Sequence, residues 1–238
     1  MQIKDFLAFY GDGEGIFGQL ISDYHTAVSG GSASRLGEIM TRHGSDKATW
    51  HNYCLFYEIL FGLLPRSPQT IFEVGIGTND LEIVGNMGAL GTPGASLRAW
   101  REMFPDAMIY GADYDANCLF DERNIRTFYL DQLDQSSINL AWSIMPHLRF
   151  DLVIDDGCHT YEANSTLLDA TYLRLLPGGL YIIEDISMNI HNLCKFDRYL
   201  NARGWPAFLM RLPHQTNCVD NAIAVVRPSP PLPPSSVI

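Results

Sequence analysis

From Gln69 onward, short apolar runs alternate with longer stretches in which apolar residues recur every three or four positions. This is the pattern of repeated βα units and a mostly parallel sheet. It predicts strands over 70–74, 107–112, 127–130, 151–154 and 180–184, and helices over 96–104, 160–176 and 192–203. Pro177-Gly178-Gly179 is expected to end the second helix, since proline lacks an amide proton and glycine favours the left-handed cap. The runs 206–212 and 222–226 read as a closing antiparallel hairpin. Ahead of the sheet, residues 1–64 read as largely helical, with Tyr53, Phe56, Tyr57, Leu60 and Leu63 spaced to form one apolar face. Residues 228–238 are rich in Pro and Ser and read as a disordered tail. No internal repeat is visible.

Composition narrows the picture. A chain of 238 residues that is 47% hydrophobic can bury one substantial core, which suits a single α/β domain with extensions. No stretch approaches the roughly 18 uncharged apolar residues that a membrane span needs, and the first residues lack a basic segment followed by an apolar one. The chain is therefore expected in the cytosol, away from membranes. Five cysteines (Cys54, Cys118, Cys158, Cys194, Cys218) are scattered without a C-x-x-C pair, which argues for reduced thiols rather than a disulfide framework or a thiolate zinc site. A formal net charge of -11 repels a phosphate backbone, so nucleic acid is not expected as a partner.

Candidate chemistry gathers where the strands end. Phe72-Glu73-Val74-Gly75-Ile76-Gly77-Thr78 follows an apolar strand, and its two glycines allow a tight turn under a nucleotide-like cofactor. A dinucleotide fingerprint would carry a third glycine at position 80; Asp80 stands there, so NAD and FAD are disfavoured. Asp113 ends the second strand, where a carboxylate can accept hydrogen bonds from both ribose hydroxyls, and Asp131 follows the third strand on the adenine side. Asp155, on the strand beside the glycine strand, is assigned to the cofactor together with Glu73, Gly75 and Gly77. The stretch 78–94, with Gly85, Gly88, Gly91 and Gly94, reads as a mobile lid over the cofactor or as a disordered insertion.

Two neighbouring strands run into Asp155-Asp156-Gly157-Cys158-His159 and Glu184-Asp185. Asp156, Glu184 and Asp185 are predicted to converge on one cation, and hard oxygen ligands of this kind suit Mg²⁺ or another divalent ion. Such an ion lowers the pKa of an alkyl hydroxyl, and His159, close by, is the predicted general base.

The glycine turn, in its E-x-G-x-G form, is similar to the first motif of class I methyltransferases. The chain further resembles the metal-dependent sugar O-methyltransferases of macrolide biosynthesis, the mycinamicin VI, demethylmacrocin and macrocin O-methyltransferase family. The residues that carry the resemblance are Gly44-Ser45-Asp46-Lys47 with His51 and Tyr53, Glu73-Val74-Gly75-Ile76-Gly77, Gly94-Ala95-Ser96-Leu97-Arg98-Ala99-Trp100, Asp155-Asp156-Gly157-Cys158-His159, and Glu184-Asp185. The resemblance implies a Rossmann-like class I methyltransferase fold: a mostly parallel seven-stranded sheet with helices on both faces and a C-terminal antiparallel hairpin. It implies S-adenosylmethionine (SAM) as methyl donor, Mg²⁺ on Asp156, Glu184 and Asp185, and His159 as base. Ser96, Asp113 and Asp131 would contact the cofactor, with Lys47, His51 and Tyr53 near it.

On this reading residues 1–64 are a helical extension covering the active site, 65–227 the SAM-binding domain, and 228–238 the tail. The acceptor would be a sugar or glycosylated metabolite, and the assembly a homo-oligomer. The relatives sharing the Ser-Asp-Lys and His-x-Tyr elements carry a further N-terminal domain, for which the residues before Gly44 are too few. Two other readings are a catechol-like phenol O-methyltransferase and a non-catalytic SAM-binding protein.

Overall fold

The computed structural model describes residues 7–10, 14–83, 85–212 and 214–228. Among the described residues nine strands, numbered in chain order, form one sheet in the order β1-β8-β9-β7-β6-β2-β3-β5-β4. They are β1 (Leu7–Tyr10), β2 (Thr70–Val74), β3 (Met108–Asp113), β4 (Asp121–Glu122), β5 (Ile125–Tyr129), β6 (Phe150–Asp155), β7 (Leu175–Ile186), β8 (Ala207–Arg211) and β9 (Ala222–Val226). The contiguous set β7-β6-β2-β3-β5 is parallel, whereas β9 runs antiparallel to β7 and pairs antiparallel with β8 as the expected hairpin. The seven strands from β8 to β5 are those predicted; β1 and β4 are short antiparallel additions at the two edges. The N-terminal stretch is thus not wholly helical, because residues 7–10 pair with β8.

Among the described residues seven α-helices cover the sheet: α1 (Glu14–Ser29), α2 (Arg35–His43), α3 (Tyr53–Phe61), α4 (Ala95–Met103), α5 (Gln135–Ile144), α6 (Tyr161–Thr171) and α7 (Ile190–Arg203). Side chains on successive strand residues point to opposite faces, and the core divides accordingly. Ile71, Ile109, Leu152 and Ile182 pack with α1 to α4, while Phe72, Val153, Tyr181 and Ile183 pack with α5 to α7. Of the predicted apolar face on α3, Tyr53, Phe56, Tyr57 and Leu60 are buried; Leu63 falls beyond the helix end and is 38% exposed.

The helix predicted over 160–176 ends at Thr171 instead. Leu175 is drawn into the sheet opposite Phe150, and Pro177-Gly178-Gly179 lies inside β7 at a register irregularity. A Cβ at Gly179 would sit 2.9 Å from the Asp151 carbonyl oxygen, so glycine there serves close strand approach rather than a helix cap. Residues 229–238, read as a tail, lie outside the described residues. Among the described residues no helix is long and apolar enough to cross a membrane, and all five cysteines are free.

Candidate functional site

The carboxyl ends of β2, β3, β5, β6 and β7 open into a cavity of about 550 Å³. Its floor is the glycine turn after β2. Gly75 and Gly77 hold φ of 82° and 84°, in the left-handed region. A Cβ at Gly75 would lie 1.9 Å from the Asp156 carbonyl oxygen, so only glycine lets the tips of β2 and β6 meet. The stretch after the turn folds back onto it: Met87 N–H donates to the Thr78 carbonyl (2.8 Å) and Gly94 N–H to that of Ile76 (2.7 Å). Its described residues Ile83, Gly85, Asn86, Met87 and Gly91 line the cavity, which favours an ordered cover over an insertion without structure.

On the cofactor side Asp113, Asp131 and Ser96 reach the cavity together with Gly75 and Gly77. Asp113 accepts the amide N–H groups of Ile76 and Asp115, both at 2.9 Å, so it also braces the turn. Two acids assigned to the cofactor do not line the cavity. Glu73 is fully buried and accepts from Ser96 Oγ (2.7 Å) and Trp100 Nε1. Asp155 points through the sheet to the opposite face, where it accepts from Gln132 Nε2 (2.7 Å) and Tyr181 Oη (2.9 Å). The reason is the strand period: Leu152, Ile154 and Asp156 share one face, and Val153 and Asp155 the other.

The same alternation brings Glu73, Asp156 and Glu184 to the face covered by the N-terminal helices. Between α2 and α3 a short 3-10 turn, capped by Ser45, carries Lys47 into them. The ammonium is 2.6 Å from Asp156 Oδ2 and 3.5 Å from Glu73 Oε1, and it donates to Glu184 Oε2. Burial works to lower its pKa, but the three carboxylates outweigh burial and hold it well above the usual lysine range. Asp156 is likewise held far below the carboxylate range, the Lys47 and His159 contacts overcoming its desolvation. Tyr57, one turn along α3 from Tyr53, donates to the other Glu184 oxygen.

Asp185 is tied differently. Tyr53 Oη donates to its Oδ1 (2.7 Å), and His51 Nε2 lies 3.4 Å from its Oδ2. His51 stacks on Tyr53 and is held from behind by Asn221 at 3.1 Å. His159 completes the group, with Nε2 3.3 Å from Asp156 Oδ1 and Nδ1 3.7 Å from Asp185 Oδ2. His159 and Asp185 both occupy the left-handed region, at φ of 54° and 51°, uncommon for non-glycine residues and frequent at functional sites.

One ligand atom each from Asp156, His159 and Asp185 lies within 4.8 Å of the other two, the grouping suited to a metal among the described residues. The structure therefore joins two of the three predicted metal ligands with the predicted base. Glu184 lines the same cavity, but its two oxygens are taken by Lys47 and Tyr57. Lys47 and His51 line the cavity at this acidic end, and Tyr53, expected near the cofactor, stands behind Asp185 without reaching the cavity. Sequence reading missed Tyr57, Trp100, Gln132 and Asn221 as partners of these groups. Gln132 both supports Asp155 and accepts from the Cys158 amide (2.7 Å), which steadies the turn leading to His159.

No protein-family model matches the chain. Curated relatives do. The 8-demethyl-8-alpha-L-rhamnosyl tetracenomycin-C 2'-O-methyltransferase of Streptomyces olivaceus is 33% identical over 183 residues, 76% of this chain and 42% of that protein. The mycinamicin VI 2''-O-methyltransferase of Micromonospora griseorubida is 33% identical over 165 residues, 67% of this chain and 39% of that protein. Over the matched span the chain is similar to these sugar O-methyltransferases. Its fold is that of class I methyltransferases: the MycE methyltransferase from the mycinamycin biosynthetic pathway, in complex with Mg, SAH and mycinamycin VI, matches with a TM-score of 0.56. That match is 26% identical and covers 89% of this chain and 60% of MycE. The sugar O-methyltransferase match spans less than half the length of the curated relatives.

Proposed function

We propose that the chain transfers the methyl group of SAM to a hydroxyl of a sugar on a glycosylated natural product, with Mg²⁺ or another divalent cation at the acidic end of the cavity. The observation that carries this reading is the meeting of Asp156, His159 and Asp185 at the rim of a cavity floored by the glycine turn. The relatives' names, a rhamnosyl 2'-O-methyltransferase and a mycinamicin VI 2''-O-methyltransferase, support a sugar hydroxyl over a phenol.

The residues fit both groups. Gly75 and Gly77 clear the floor of side chains, and Asp113 and Asp131, which line the same cavity, would meet the ribose and the adenine. Asp156 Oδ1 and Asp185 Oδ2 are hard oxygen donors turned toward one space, the donor type that divalent magnesium prefers. When bound, the cation supplies charge that eases loss of the acceptor's hydroxyl proton.

His159 would take that proton. Burial pulls its pKa down, yet the contacts with Asp156 and Asp185 raise it from 6.5 to about 10. Matching the charge of those carboxylates returns the imidazole toward its ordinary value, where it can act as a base near neutral pH. Tyr53 and His51 would fix Asp185, and the N-terminal segment that bears them would wall the acceptor side. A homo-oligomer is part of the same reading and is checked by light scattering on the eluting protein.

The test is methyl transfer from SAM to rhamnosylated acceptors, with a catechol in parallel, before and after chelation. His159→Ala is expected to lower kcat by about 10²–10⁴-fold, and EDTA to stop turnover until Mg²⁺ is restored. Full turnover in EDTA or in His159→Ala would sink the mechanism, and methylation of the catechol alone would reassign the acceptor.

A further inference from the structure

We propose that Lys47 is a resident counter-cation that a divalent ion must displace from Asp156 and Glu184, so that this end of the cavity alternates between an ammonium-filled and a metal-filled state. The inference rests on the metal reading above and adds a competitor for the same oxygens.

Four acids, Glu73, Asp156, Glu184 and Asp185, crowd the tips of β2, β6 and β7, and three of them are almost wholly buried. Carboxylates taken out of water are costly unless a positive charge or hydrogen bonds meet them. Lys47 answers that need without any ion: it is 2% exposed, and its single nitrogen reaches Asp156, Glu184 and Glu73. Asp156 Oδ2 and Glu184 Oε2 both contact one nitrogen, so the two oxygens are turned toward a single cation-sized place. Two cations cannot share that place, since like charges at contact distance repel strongly in a buried site. Glu73, with Ser96 and Trp100 fixing its oxygens, gives the displaced ammonium a carboxylate to remain beside. Displacement would release Glu184 to the role that its position next to Asp185 suggests. It also fits the grouping of Asp156 and Asp185 with His159 while both Glu184 oxygens are engaged by Lys47 and Tyr57.

The experiment is calorimetric titration of MgCl2 into the full chain, for wild type, Lys47→Gln and Lys47→Arg, with melting temperatures recorded with and without Mg²⁺. Removing the competing charge is expected to tighten the Mg²⁺ Kd of Lys47→Gln by about tenfold or more, while Lys47→Arg stays near wild type. Without metal, Lys47→Gln should melt below wild type, and saturating MgCl2 should close the gap. If that variant does not fold alone, recovery of its helical circular dichroism on adding MgCl2 supports displacement, and failure to recover overturns it. An unchanged or weaker Kd in Lys47→Gln also overturns it. Binding by Lys47→Gln but not by wild type would show that the ammonium holds the place permanently and would overturn the alternation. Absence of binding in both would remove the two together.

Discussion

Tyr53 and Tyr57 lie one helical turn apart on α3, and each secures one acid of the Glu184-Asp185 pair. Removing the Tyr57 hydroxyl leaves a buried carboxylate oxygen without its donor. Tyr57→Phe is therefore expected to cost about 1–3 kcal/mol in a urea titration, with a smaller loss when Mg²⁺ is present. The tyrosines show how far sequence reaches at this scale. Their spacing marks a buried helix face, but periodicity says nothing about which polar group waits opposite. Asp155 and Asp156 show the reverse: adjacent acids look equivalent in sequence, and the pleat sends one to Gln132 and Tyr181 and the other to Lys47. The chemistry-bearing residue types were legible, whereas their pairings depended on long-range register.

Elements were read best where one pattern had no rival. The strands ending at Val74, Asp113, Asp155 and Ile186 were legible because both faces of a central parallel strand are covered and each carries a short run of mostly apolar residues. Helix α5 escaped notice because exposed Leu140 and Ile144 blur the apolar stripe formed by buried Ile138, Ala141 and Trp142. Leucines before Pro177 read as helix because propensity cannot see Phe150 competing for Leu175. Between elements, the tightest constraint is the contact of the β2 and β6 ends. Gly75→Ala would press a methyl group into the Asp156 backbone at a left-handed φ and should cost about 3 kcal/mol. Thermal melting checks the cost, and a drop in SAM affinity measured by calorimetry should accompany it, since the same backbone floors the cavity.

For the molecule as a whole, stability and pH are linked through the acidic end of the cavity. His159 has a raised pKa in the folded, metal-free protein, so its contribution is complete below pH 6.5 and is lost as pH climbs toward about 10. Melting temperatures in EDTA should fall across that window, and His159→Gln should flatten the decline; an unaltered slope in the variant would refute the assignment. Mg²⁺ should raise the melting point in proportion to the logarithm of its concentration once above its Kd. The other end of the sheet carries a different liability. Strand β1 pairs along β8, and without it the outer amides and carbonyls of β8 would stand open as a template for another chain. Four residues at the start of the described structure thus act as a colloidal safeguard. Deleting residues 1–10 should leave the cavity at the strand ends intact yet make the protein cluster as it is concentrated, visible as growing light scattering.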